Sequence, residues 1–123
     1  MTEDRSAAGL YWEEAASAYL ERHGVSTLLK RYRCRLGELD LVCADGATLV
    51  VVEVRARRSN ALVSALASVD SGKRHRIVRA TRHLLMRHPE WRARPIRFDV
   101  VAIEHIERPN PDFVWIKSAF YAS

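Results

Sequence analysis

Two runs rich in Leu and Val, 37–43 and 48–56, flank the dipeptide Asp45-Gly46. Asp-Gly between two such runs signals a tight turn, so the pair is expected to form a β-hairpin. No other feature of the 123 residues limits the fold as strongly, because an apolar hairpin must bury its faces against other elements. Helices can supply that cover. Residues 7–23 read as a helix closed by Gly24, with Trp12, Ala16, Tyr19, Leu20 and His23 on one face. Residues 69–87 read as a second helix ended by Pro89, with Val69, Ile77, Ala80, Thr81, Leu84 and Leu85 inward. Strands at 26–34, 96–103 and 112–117 complete the order α-β-β-β-α-β-β. The expectation is one α/β domain over 1–123, a central mixed β-sheet flanked by helices.

Composition agrees with a folded core: 48% of residues are hydrophobic and 28% charged, unlike a disordered tail. Apolar runs such as Leu49–Val52 are far too short to cross a bilayer, so no membrane contact is expected. The start, Met-Thr-Glu-Asp-Arg, shows no basic stretch followed by an apolar one, and a cytoplasmic protein is expected. Cys34 and Cys43 make neither a disulfide framework nor a metal cage. The net charge is +5, and 17 of the 20 basic residues are Arg, leaving Lys30, Lys73 and Lys117. Lys30, Arg31, Arg33 and Arg35 cluster, as do Arg55, Arg57 and Arg58. Nine basic residues against one acid then fill 73–97, beginning with Lys73 and Arg74. Such clusters suit a phosphate backbone, nucleic acid first; the alternative is a solvated helix face with scattered loop charges.

Alternation along the hairpin places charge where core is expected. Glu38, Asp40 and Val42 share a face in the first arm; Leu49, Val51, Glu53, Arg55 and Arg57 share one in the second. With a loop of two or four residues, Asp40 falls opposite Val51 and Glu38 opposite Glu53. Asp40 and Glu53 are then diagonal neighbours, roughly 7–8 Å apart. Converging carboxylates repel unless a proton or cation intervenes, and hard oxygen donors suit Mg²⁺ or Mn²⁺ rather than zinc. The alternative is a Glu53–Arg55 pair with no metal. His23, His75, His83, His88 and His105 show no metal-ligand spacing. Two further charges lie on the wrong side of their helices. Glu13 projects beside Leu20 and calls either for a partner or, as a lone Glu would more often do, for a short reach back to solvent; Lys73 falls near Ile77. Asp99 shares a strand face with Arg97, and a buried pairing or an N-cap contact is expected there rather than catalysis.

Several of these residues form an ordered set. Gly37-Glu38-Leu39-Asp40-Leu41, Val51-Val52-Glu53-Val54-Arg55-Ala56-Arg57 and Arg97-Phe98-Asp99-Val100-Val101 resemble the YraN-like family of bacterial proteins. The resemblance extends through Gly9, Glu13, Ala16, Tyr19-Leu20 and Gly24, then Val69, Lys73 and Arg74, to Ala119-Phe120, covering nearly the whole chain. It implies a restriction-endonuclease-like fold of the PD-(D/E)xK superfamily, related to Holliday-junction resolvases. Joined to the carboxylate patch and the basic clusters, it leads to the expectation of Mg²⁺-dependent hydrolysis of DNA phosphodiesters by metal-activated water, selective for DNA structure because backbone contacts do not read sequence. By the same resemblance, Asp40 and Glu53 hold the metal and Glu13 assists from the first helix. Arg55 stands where the motif has Lys. Arg stays protonated at physiological pH, so it cannot act as a general base, although it can orient water or stabilise developing charge. Lys30, Arg31, Arg33, Arg35, Arg57, Arg58, Lys73 and Arg74 are the candidate backbone contacts. Resolvases cut two strands as dimers, and an exposed edge strand could build such a homodimer; the sequence leaves the oligomeric state open. A nucleic-acid-binding module that has lost cleavage is the competing expectation, favoured by Arg55, and a basic protein–protein adaptor is a third.

Overall fold

Five strands lie side by side in chain order, each neighbour in sequence also a neighbour in the sheet. The computed structural model describes residues 2–122. Its elements are α1 (Thr2–Arg22), β1 (Ser26–Cys34), β2 (Gly37–Asp45), β3 (Thr48–Arg57), α2 (Ser71–Arg87), β4 (Ile96–Glu104) and β5 (Asp112–Phe120), with a 3₁₀ turn at Pro89–Trp91. Neighbours pair antiparallel except β3 and β4, which run parallel and are joined across one face by α2. The expected order and mixed sheet are therefore observed.

The sheet is covered on both sides. Ala16 and Leu20 of α1 are buried against Leu41, Cys43, Val50, Val52, Val101 and Ile103. Ile77, Ala80 and Leu84 of α2 are buried against Leu39, Leu49, Val51, Phe98 and Val100. Double cover explains why residues 49–52 are apolar without alternation, as a central strand must be. Each buried Leu, Ile or Val contributes about 1.5–3 kcal/mol.

Local chemistry sets the ends of the elements. Gly24, at φ +86, ends the α1 turn in a conformation that favours glycine. The helix starts at Thr2, five residues before the expected start. The Asp70 carboxylate accepts a hydrogen bond from Lys73 N at 2.9 Å and so caps α2, which starts at Ser71 rather than 69. Val69 is still buried, as part of the approach to the helix. His23 is exposed, not inward. In the hairpin Asp45 pairs with Thr48, so the turn is Gly46–Ala47 with Gly46 at φ +60. That places the turn one residue later than expected and shifts the pairing by two.

Irregularities recur at one level of the sheet. Leu39 and Val42 face α2, whereas Leu41 and Cys43 face α1, so the alternation of β2 slips at Asp40. On β1, Leu29 and Tyr32 both pack on the α2 side, and Arg31 between them has φ +55. The pairs Lys30↔Leu41 and Tyr32↔Leu39 bracket Arg31 and Asp40, so the two slips are level. At the far edge, Asp99 is fully buried. It accepts from Arg97 Nε at 3.0 Å, Trp115 Nε1 at 2.9 Å and Ser118 N at 3.0 Å. The expected Asp99–Arg97 pairing is present, and it holds β5, which runs to Phe120 rather than 117.

Candidate functional site

The β2–β3 ladder stops at Leu41↔Val52, and its register continued one step puts Asp40 level with Glu53. The ladder stops because Asp40 Oδ2 accepts the hydrogen bond of Val54 N at 2.9 Å. A side chain thus takes a donor that the neighbouring strand would have used, and the strands part. The expectation of Asp40 opposite Val51 is corrected by the later turn. The slip of two keeps both carboxylates on adjacent strands and brings them directly side by side.

Glu53 is only 5% exposed, and two cations reach its Oε2: Arg55 Nη2 at 3.4 Å and Lys73 Nζ at 3.5 Å. Arg55 comes from the same strand two residues on. Lys73 comes from the first turn of α2, and its place among that helix's apolar positions is explained by this contact. Arg55 Nε is buried with no hydrogen-bond partner among the described residues. From the other side, Glu13 on α1 is buried and accepts from Arg31 Nε at 2.8 Å. The Arg31 guanidinium lies against Gly9, where an added Cβ would come within 3.2 Å of it. Arg31 is the partner that the inward-facing Glu13 required. Its left-handed backbone costs about 1–2 kcal/mol for a non-glycine residue, offset by a charge-assisted bond of about 1.5–3 kcal/mol.

All three carboxyls hold their protons more tightly than usual. Burial pushes Glu53 up from 4.5 to about 8; the Asp40 charge adds to this, and Lys73 and Arg55 oppose it. Burial also raises Glu13 to about 7 against the pull of Arg31. Asp40 is raised by burial too, against the Val54 N–H and the Lys73 charge. The carboxylates are under-compensated by the chain's own cations, and a divalent cation would relieve that. No group of three His, Cys, Asp or Glu side chains among the described residues converges as a metal cage. Mg²⁺, however, is ordinarily held by one or two carboxylates together with waters and substrate phosphate, and Asp40 with Glu53 fits that donor set.

The expected backbone-contact residues do not form one open positive face. Lys30 pairs with Glu14 at 2.9 Å, Arg31 with Glu13, and Arg33 with Glu38 at 3.2 Å. Arg57 donates to Val63 O at 3.2 Å. Lys73 lies on Glu53, while Arg74 donates to Val69 O and packs over the Phe120 ring at 5.4 Å. Arg35 and Arg58 alone of the eight make no side-chain hydrogen bond or ion pair among the described residues. The sequence signal that marks Arg31 as structural is the inward charge of Glu13. The Asp40–Val54 bond leaves no signal in the residue pattern.

An α/β protein results, in which carboxylates from a hairpin and a flanking helix meet cations at the opened end of the hairpin. The chain belongs to the uncharacterised protein family UPF0102, whose model matches residues 12–103, and this is the YraN-like resemblance seen in the sequence. A UPF0102 protein of Pseudomonas aeruginosa is 46% identical over 111 residues, covering 89% of each chain. One from Alcanivorax borkumensis is 42% identical over 110 residues, 89% of this chain and 88% of its own. One from Legionella pneumophila is 36% identical over 122 residues, 99% of this chain and 98% of its own. Among the described residues no helix is long and apolar enough to cross a membrane.

Proposed function

We propose that this protein is a Mg²⁺- or Mn²⁺-dependent nuclease of the restriction-endonuclease-like, PD-(D/E)xK type, hydrolysing DNA phosphodiesters with selectivity for DNA shape. The observation that supports it best is the pairing of Asp40 with Glu53 at the opened end of the hairpin, with Lys73 and Arg55 within 3.5 Å of Glu53. Asp40 and Glu53 are the groups to hold a divalent ion, which supplies Lewis acidity toward the scissile phosphate and toward water. The chain's own residues do the rest. The Val54 N–H fixes the orientation of Asp40 through Oδ2. Lys73 sits on a flexible stem and can turn from Glu53 to a phosphate oxygen when a cation takes its place. The Arg55 guanidinium, held on Glu53 through Nη2, can stabilise charge developing beside it but cannot take a proton. Arg31 holds Glu13, whose carboxyl near pH 7 is suited to accept or return a proton. Contacts to the phosphate backbone position DNA without reading its sequence, which favours recognition of shape. Free Cys34 and buried Cys43 accord with a reducing, cytoplasmic setting. Two copies acting together would cut both strands of a branched substrate.

One observation favours a second reading, a nucleic-acid-binding module with little or no cleavage. Arg55 occupies the lysine position of the motif, and the remaining ammonium, Lys73, belongs to another element. The test is cleavage of labelled duplex, flap, four-way-junction and single-stranded DNA with Mg²⁺ or Mn²⁺, beside an Asp40→Ala/Glu53→Ala control. Metal-dependent cutting lost in the control supports the nuclease. Salt-sensitive binding without cutting supports the module, and cutting that survives in the control overturns the site.

A further inference from the structure

Away from the carboxylates, α2 and the end of β5 enclose a cavity of about 340 Å³. Its floor is apolar, formed by Val78, Leu85, Ile96, Phe98 and Phe120, with Tyr121 at the rim. Tyr121 is 75% exposed and Ile96 36%. Two further hollows along the same helix extend it into a groove reaching Ser71 and Arg74. By register Ile96 lies beside Leu49 and Val100 beside Glu53, so the cavity end is four residues, about 13 Å, from the carboxylates.

The charge around this groove has one sign. Helix α2 contains no Asp or Glu, and none lines any of the three hollows. Arg97, at one end, is neutralised by Asp99 and Asp45. Arg79 and Arg82, at the lip, are exposed and form no ion pair among the described residues. Unpaired guanidiniums beside an apolar hollow match a ligand that is anionic outside and apolar at its point of entry. The aromatic floor does not suit a stacked base. The Phe120 ring, only 6% exposed, already stacks on Phe98 at 5.1 Å and carries Arg74 at 5.4 Å from its centroid.

We infer that this groove docks an acidic peptide segment of a partner protein, with one bulky apolar side chain entering the cavity and flanking carboxylates meeting Arg79 and Arg82. The inference does not depend on the nuclease reading.

The test uses the full chain in chelator. A fluorescein-labelled peptide of alternating Asp and Leu or Phe is titrated by anisotropy, beside the same peptide with Lys for Asp and a labelled single-stranded oligonucleotide. Methyl NMR signals of Val78, Leu85 and Ile96 report the site. The expected result is saturable micromolar binding of the acidic peptide that shifts these methyl signals. Arg79→Glu/Arg82→Glu should weaken it about tenfold or more at an unchanged urea midpoint, since both residues are exposed. Asp40→Ala/Glu53→Ala should leave it intact, so failure of the nuclease reading and failure of this one are separable. Absence of saturation, equal binding of the Lys peptide, unmoved methyl signals, or displacement of the peptide by the oligonucleotide would overturn it. The last would give the groove to nucleic acid.

Discussion

Raising pH should destabilise the metal-free protein, and Glu53 should be the main reason. An acid whose pKa is raised on folding keeps its proton in the native state, while the unfolded chain releases it above about pH 4.5. The folded state therefore loses ground as pH rises from there, until Glu53 itself ionises near pH 8. At about 1.4 kcal/mol per pKa unit, the loss across that window is on the order of 4–5 kcal/mol, a large part of a small domain's stability. Urea unfolding in chelator at pH 5, 6, 7 and 8, for the natural protein and for Glu53→Gln, isolates the effect. Gln cannot ionise but can still accept from Lys73, so its midpoint should fall less over the same range, the remaining fall coming from Glu13 and Asp40, whose carboxyls are raised as well. A divalent ion should restore the natural protein more at pH 8 than at pH 5. Parallel pH profiles for the two proteins would refute the claim that burial outweighs Lys73 and Arg55 at Glu53.

Arg31→Ala should cost about 2–4 kcal/mol in urea unfolding, because it keeps the left-handed backbone and leaves Glu13 buried and unpaired. Adding Glu13→Gln to it should recover part of that loss. Gly37→Ala puts a Cβ 3.0 Å from the carbonyl oxygen of Arg76, and the backbone shift required should lower thermal stability by about 1–3 kcal/mol. If the protein cuts DNA, Arg55→Lys should raise Mg²⁺-dependent cleavage at little change in DNA affinity, measured by single-turnover assay and anisotropy. Asp99→Ala leaves the Trp115 indole N–H and the Ser118 N–H without their acceptor and Arg97 with Asp45 alone; a loss of about 2–4 kcal/mol is expected in calorimetry.

Most of the architecture is written in local patterns. The apolar arms, the Asp-Gly turn and the helical periods give every element, because each reports burial of one or two faces. Inward charges also carried information: Glu13 and Lys73 each looked misplaced on its helix, and each meets an opposite charge across the sheet interface. What the pattern does not carry is register. Moving the turn by one residue changes which residues are opposite while preserving their faces, so the convergence of Asp40 and Glu53 survived an incorrect pairing. The slips at Arg31 and Asp40 were illegible for a related reason. Alternation predicts a regular ladder, and only three-dimensional competition for the Val54 N–H shows where it breaks. Charge clusters in sequence likewise do not tell engaged cations from free ones: Lys30, Arg31, Arg33 and Lys73 are paired with acids, whereas Arg79 and Arg82 form no ion pair among the described residues.

The connection between β3 and β4 bears on how the molecule assembles. Parallel strands cannot pair until the long crossover through α2 closes, whereas β2 and β3 need only a two-residue turn. Hairpin closure therefore comes first, on the microsecond scale, and the helix docks afterwards. Asp40 and Glu53 meet while still in water, where their repulsion is only about 1 kcal/mol, and Lys73 arrives later with the low-dielectric cover that sharpens it. The strain at the carboxylates is thus loaded at the last stage of folding. Most of the pH and divalent-ion dependence of stability should accordingly appear in the unfolding rate, with the folding rate nearly flat.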